Sequence, residues 1–176
     1  FRYMAQARHI GKVVVTQRPL AEDGAARFRK DGTYLITGGL GGLGLLLTRW
    51  MVDQGARNLV LLGRTGPDAV ARGVIEDVEA RGGRVVVAQA DVSRDAEVSA
   101  VFDRIQKEMP PLRGVIHAAG ALDDGVLQQQ DWNRFRHVMA AKVAGSWILH
   151  EHTRGMPLDL FVLFSSAVSL VGRPGQ

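Results

Sequence analysis

Beyond residue 32 the chain reads as strictly alternating apolar strands and amphipathic helices, and that alternation limits the fold more than any single motif does. The strands are TYLITGG (33–39), NLVLLGR (58–64), RVVVAQADV (84–92), LRGVIHAAG (112–120) and LDLFVLFSS (158–166). Between them lie the helical patterns GLGLLLTRWMVDQG, DAVARGVIEDVEARG and DAEVSAVFDRIQKEM, then a long one, DWNRFRHVMAAKVAGSWILHEHT, opened by Asp131 as N-cap. Strands this apolar are expected to be buried on both faces. Right-handed crossovers then put helices on both sides, so the expected fold class is α/β with a doubly wound parallel sheet. No internal repeat interrupts the pattern.

A chain of 176 residues is long enough for one domain with a real core, because at that size roughly 70% of the unfolded surface is buried. No apolar run approaches the ~20 residues a membrane helix needs. The opening FRYMAQARHIGK lacks the apolar block and cleavage site of a signal peptide, so no membrane insertion and a cytoplasmic location are expected. Cysteine is absent and the five histidines (His9, His117, His137, His150, His152) show no zinc-like spacing, so no metal site is expected. Lys and Arg number 22 against 18 Asp and Glu, with the excess scattered along the chain. Nucleic acid is therefore not an expected partner.

The stretch RPLAEDGAARFRKDG around residues 18–31 carries Pro and Gly/Asp turn signals without periodicity and reads as a linker. Before it, GKVVVTQ is a strand-like run with no neighbour to pair with, which points to the end of some other domain over residues 1–17.

In a doubly wound sheet, ligands bind beyond the carboxyl ends of the strands. The first end is TGGLGGLG, Thr37 to Gly44. Its Gly38, Gly42 and Gly44 are spaced to turn the chain tightly and let a pyrophosphate approach a helix N-terminus over Gly39, Leu40 and Leu43. A mere tight turn is the plainer alternative. No Gly-Lys-Ser/Thr follows, which excludes a phosphate-loop NTPase site. The second strand ends at Arg64, whose planar cationic fork suits a ribose 2′-phosphate and hence NADP(H), unless it is only a solvated surface Arg. At the third, Asp91 could accept from an adenine amino group and Val92 pack on the ring, or Asp91 or Ser93 could cap the next helix. At the fourth, Ala118, Ala119 and Gly120 leave room for the adenosine ribose, and His117 reads as a strand-end packing residue rather than a base.

TGGLGGLG, ADV, HAAG and FSS, in this order and spacing, resemble the short-chain dehydrogenase/reductase family over residues 32–176. Within that family, Lys142 in the long helix and the stretch HAAGALDDGVL resemble the ketoreductase domains of modular polyketide synthases and animal-type fatty acid synthases. FRYMAQARHIGKVVVT is similar to the end of the enoylreductase domain that precedes such a ketoreductase. The resemblance implies a Rossmann-type sheet, NADPH as cofactor, and a β-ketoacyl chain on the phosphopantetheine of an acyl carrier protein as substrate. Other domains of the parent polypeptide would be further partners. It implies Ser166 and Lys142 as catalytic residues: Ser166 donates to the carbonyl oxygen as charge develops there, and Lys142 holds the nicotinamide ribose and lowers the pKa of a Tyr proton donor. Lys142 could instead pair with a neighbouring helix. Ser165 is the alternative donor, since strand alternation would turn only one of the pair toward the site. Leu122, Asp123 and Asp124 resemble the marker of reductases that give an R-configured hydroxyl, although Asp-Asp-Gly also has plain turn chemistry.

The resemblance further implies that the Tyr falls three positions beyond Gln176 and that the sheet is C-terminally truncated after the fifth strand. The 176-residue chain alone is then expected to be inactive. Arg134, Arg136, Arg154 and Arg173 could meet an acidic carrier or be ordinary solvated residues. A non-catalytic structural domain of the same synthases is the alternative function.

Overall fold

The structure, a computed structural model, describes residues 28–172. The expected enoylreductase end (1–17) and most of the linker lie outside them. The expected alternation is present: β1 (Thr33–Thr37), α1 (Gly42–Asp53), β2 (Asn58–Gly63), α2 (Ala69–Ala80), β3 (Arg84–Gln89), α3 (Asp95–Glu108) and β4 (Leu112–His117). A 3₁₀ turn (Leu127–Gln129) follows, then α4 (Trp132–Met139), a π-helical stretch (Ala140–Gly145), α5 (Ser146–Thr153), β5 (Leu160–Leu163) and a short α6 (Val168–Val171). All strand pairs are parallel, in the order β3-β2-β1-β4-β5. The order reverses between β1 and β4, so a crevice opens above their carboxyl ends.

Burial on both faces holds only at the centre of the sheet. Every residue of β1 is buried, as are Leu59 to Leu62 of β2. The edge strands differ: β3 alternates, and in β5 Val162 and Leu163 are 39% and 50% exposed. An edge strand has a neighbour on one side only, and here its outer face is not fully covered. Helices pack both sheet faces in two clusters, one of α3 and α5 around Leu35, Phe102 and Leu149, the other of α1 and α2 around Ile36, Met51 and Val78. Phe28, expected in the linker, is instead seated on the second cluster, edge-on to Tyr34 and Trp50 at 5.1 and 5.4 Å.

The long helix begins as its sequence implies, with the Asp131 carboxylate accepting from the N–H groups of Asn133 and Arg134 at 2.8 and 2.9 Å. Its middle turns wide, a π-helical stretch that the helical periodicity does not signal and that holds Lys142. Gly145 ends the stretch against Val92, where a Cβ would come within 2.9 Å of a Val92 methyl.

Candidate functional site

The turn after β1 is shaped by glycines that the protein's own backbone requires. Gly38 has φ +66°, and a Cβ there would stand 2.9 Å from the Ala119 backbone. A Cβ at Gly44 would meet the Gly38 carbonyl at 2.3 Å, and one at Gly39 the Ile36 carbonyl at 2.7 Å. Gly42 is different: a Cβ there would meet nothing within 4 Å. Packing therefore gives no reason for glycine at 42. Gly41 caps α1 in extended conformation with no side-chain bond and no acidic residue in the first turn, which leaves that N-terminus receptive to an anion.

A cleft of about 450 Å³ lies over the carboxyl ends of β1 to β4. Of the residues singled out from the sequence, it is lined by Gly38, Leu40, Arg64, Asp91, Val92, Ala118, Ala119 and Gly120. Thr37, Gly39 and Gly44 are buried beneath it, and Gly42 and Leu43 are exposed at the start of α1. Val92 is 4% exposed and belongs to the core as much as to the cleft wall. Sequence reasoning passed over Gly63, Thr65, Gly66 and Asp68, which line the cleft beside Arg64, and His137, Ala140 and Ala141 on the long helix. The first group could have been found by extending the strand-end argument past Arg64. The second depends on how the long helix lies across the sheet.

Asp91 does not cap α3, and neither does Ser93. The helix starts one residue later, with Arg94 as N-cap and no side-chain bond. Asp91 instead accepts from the Ser93 hydroxyl and backbone N–H at 2.7 and 2.9 Å. Those two bonds hold its carboxyl below the usual carboxylate range, with the Arg64 guanidinium adding a smaller push in the same direction. It is therefore an ionised acceptor on the cleft wall beside a cation.

Lys142 stands next to the cleft. Its Nζ donates to the Phe164 carbonyl at 3.0 Å, and a Cβ on Gly120 would come within 3.1 Å of its Cε. Gly120 thus makes room for the lysine stem. Phe164 leads into Ser165 and Ser166, but β5 ends at Leu163, so the serines sit beyond the strand and its two-residue alternation does not govern them. Both are exposed, and the Ser166 hydroxyl oxygen accepts from the Val168 N–H at 3.2 Å.

Leu122, Asp123 and Asp124 do not reach the cleft. They line a second hollow of about 580 Å³ with Val126, Phe135 and Met139. One guanidinium clamps the loop: Arg134 donates to the Asp123 carboxylate, to the Asp124 carbonyl at 2.8 Å and to the Gln129 carbonyl at 3.0 Å. This bonding holds the Asp123 carboxyl below its ordinary range. Arg134 is consequently spent on the loop and is not a free cation for a carrier. Arg136 lies over the Trp132 ring at 5.9 Å, Arg154 pairs with Glu151 at 3.8 Å, and Arg173 lies outside the described residues.

Residues 32–176 match the KR domain family. The chain belongs to that family. Among its relatives are the phenolphthiocerol synthesis polyketide synthase type I Pks15/1 of Mycobacterium marinum, 46% identical over 178 residues, and polyketide synthase GfsB of Streptomyces halstedii, 43% identical; each match covers 100% of this chain. A third, Pks1 of Mycobacterium tuberculosis, is 44% identical over 100% of this chain and carries the word inactive in its name. The chain spans only 8%, 3% and 11% of these relatives. Solved structures agree. An A-type ketoreductase from a modular polyketide synthase superposes with TM-score 0.77 at 37% identity, covering 82% of this chain and 31% of that one. The first ketoreductase of the tylosin synthase does so with TM-score 0.73 at 39%, covering 87% and 33%. The five-stranded Rossmann-like sheet is the ketoreductase fold, and such domains bind a nicotinamide cofactor.

Proposed function

We propose that this chain is the cofactor-holding part of an NADPH-dependent β-ketoacyl reductase domain in a cytoplasmic multidomain synthase. Its substrate is an acyl chain tethered through phosphopantetheine to the carrier protein of that synthase, and its product is the 3-hydroxyacyl thioester. The observation that supports this most is the Lys142 contact: one ammonium beside the cleft residue Gly120 and bonded to the carbonyl that leads into Ser165 and Ser166. Cofactor residues and substrate residues meet at that point.

NADPH, when bound, supplies the hydride. The α1 N-terminus, left open at Gly42, receives its pyrophosphate; Arg64 receives the 2′-phosphate; Asp91 accepts from the adenine amino group. Ser166 donates to the substrate oxygen, and Lys142 orients the nicotinamide ribose. A Tyr would serve as the proton donor. In the proposed division, residues 1–17 end an enoylreductase domain, 18–31 link, and 32–176 begin the reductase. Leu122 to Asp124 give the product its R configuration.

The relative named inactive supports a second reading, a structural domain without catalysis. An intact glycine turn with Lys142 and Ser166 favours the first. The deciding assay supplies the domain, continued past residue 176, with a β-ketoacyl thioester and either NADPH or NADH. A charge-assisted bidentate contact from Arg64 is worth roughly 1.5–3 kcal/mol, so NADPH should be preferred about 10- to 100-fold. Arg64→Ala should erase the preference and retain turnover. Equal use of both cofactors sinks the Arg64 assignment, and no turnover with either favours the structural reading.

A further inference from the structure

A histidine buried at the end of a central strand calls for an explanation, because a buried imidazole is costly unless both nitrogens are bonded. His117 is 1% exposed. Its Nε2 lies 2.9 Å from the Ala141 carbonyl oxygen and its Nδ1 2.6 Å from the Thr37 hydroxyl. A carbonyl only accepts, so Nε2 carries the hydrogen in a neutral ring, Nδ1 accepts, and Thr37 donates to it. The Thr37 oxygen in turn accepts from the Ala119 N–H at 3.2 Å. The chain of donors therefore runs one way, from Ala119 through Thr37 and His117 to Ala141. Burial also pushes the imidazole pKa down, in keeping with a neutral ring.

The far end of this chain is the residue before Lys142. Within the π-helical stretch two carbonyls are held by side chains, that of Ala141 by His117 and that of Lys142 by the Ser146 hydroxyl at 2.5 Å. The backbone of His117 grips the other side: its carbonyl accepts from the Phe164 N–H at 3.0 Å, and the Phe164 carbonyl receives the Lys142 ammonium. The bonds close a ring that runs from the His117 side chain through Ala141 and Lys142 to Phe164 and back to the His117 backbone. We propose that His117 is a positioning residue for Lys142, fixing the wide turn that carries it and, through Phe164, the carbonyl on which its ammonium rests. The catalytic consequence rests on the reading of Lys142 given above; the positional consequence does not.

Two polar substitutions separate the roles. The amide of His117→Asn reaches only where Nδ1 stands and loses Ala141, whereas that of His117→Gln reaches where Nε2 stands and keeps it. Each is made in the whole synthase, and cofactor-free protein is trace-labelled with acetic anhydride, with Lys142 and Lys107 peptides quantified by mass spectrometry. Loss of one hydrogen bond should raise Lys142 labelling in His117→Asn by about 2- to 10-fold. Lys107 should be unchanged, and His117→Gln should stay near the parent. Equal Lys142 labelling in the parent and both variants overturns the proposal, whatever Lys142 does in catalysis. For activity, His117→Asn should lower kcat about 10- to 100-fold, the range seen when a supporting residue is removed, and His117→Gln should recover most of it. In a Lys142→Ala background the Asn substitution should cost nothing more; an additive loss there overturns the positioning role. If Lys142→Ala itself leaves reduction intact, the catalytic reading of Lys142 has failed, and the labelling contrast still decides the placement.

Discussion

The turn after β1 and the loop after β4 both border a hollow, yet they are held by opposite means. The first is fixed by backbone against backbone: Gly38, Gly39 and Gly44 sit where a single added carbon would strike a carbonyl or Cα at 2.3 to 2.9 Å. The second is fixed by a side chain, with Arg134 bonded to Asp123, Asp124 and Gln129 while Leu122 and Leu127 stand 79% and 82% exposed. A backbone lock cannot be loosened without disturbing the sheet under it. A side-chain clamp can be opened by one substitution.

The largest expected effect comes from breaking the lock. Gly44→Ala sets a methyl against the Gly38 carbonyl and the Gly39 backbone, neither of which can swing away as a flexible side chain could. Overpacking typically costs ~1–3 kcal/mol, and this case belongs at or above the top of that range. Urea unfolding of the domain continued to its native end should show it as a lowered midpoint. Gly42→Ala, two residues away, should leave the midpoint within about 0.5 kcal/mol and weaken NADPH binding in a fluorescence titration. Unchanged binding would mean that no ligand approaches the helix start. Equal destabilisation by the two substitutions would remove the distinction between packing glycines and the ligand glycine.

Opening the clamp should act on selectivity instead. Arg134→Gln keeps length and polarity but loses the fork that reaches both carboxylate and carbonyls. The extended domain should still fold, because the half-buried pair ties a surface loop rather than the core. On the proposed R-selective reading, the excess of R over S product, read by chiral chromatography, should fall. A product ratio identical to the parent's would show that the Leu122 to Asp124 loop does not guide the substrate.

The same contrast explains what could be read from the sequence. Strand and helix order, the parallel sheet and the glycine turn were legible because each rests on local pattern: β1 is an apolar Tyr-Leu-Ile run between threonines, and Gly38 must take a positive φ. Edge exposure was not legible in the residue pattern, since Val162 and Leu163 look like the core residues of β1; only the resemblance, which implied a sheet stopping after the fifth strand, pointed to it. Nor was the loop clamp, because Asp123 and Arg134 are eleven residues apart on different elements. Capping, the plainer alternative for Asp91, suits its chemistry, but the helix starts after Arg94. His117 was legible as a packing residue, but its link to Lys142 depends on a wide helical turn that helical periodicity hides.

The smallest expected effect concerns pH and lies on the backbone-locked side. Burial holds the His117 pKa below that of a free histidine, and the nearby Lys142 charge pushes the same way against the opposing Ala141 bond. In the unfolded chain the ring titrates near pH ~6.5. Above that value neither state binds the proton, and the stability due to a neutral buried ring is fully present. As pH falls below it, the unfolded chain takes up a proton that the folded chain refuses, so stability declines until the folded pKa is reached and then levels off. One proton limits the slope to about 1.4 kcal/mol per pH unit. Comparing the parent with His117→Gln cancels every other titrating group, so the difference in urea midpoint between about pH 5 and 7.5 isolates this histidine. The parent should lose ground to the variant as the solution is acidified. Parallel curves would mean that the folded protein protonates His117 as readily as water does. Nδ1 could then no longer accept from Thr37, and the one-way chain from Ala119 to Ala141 would be broken at its centre.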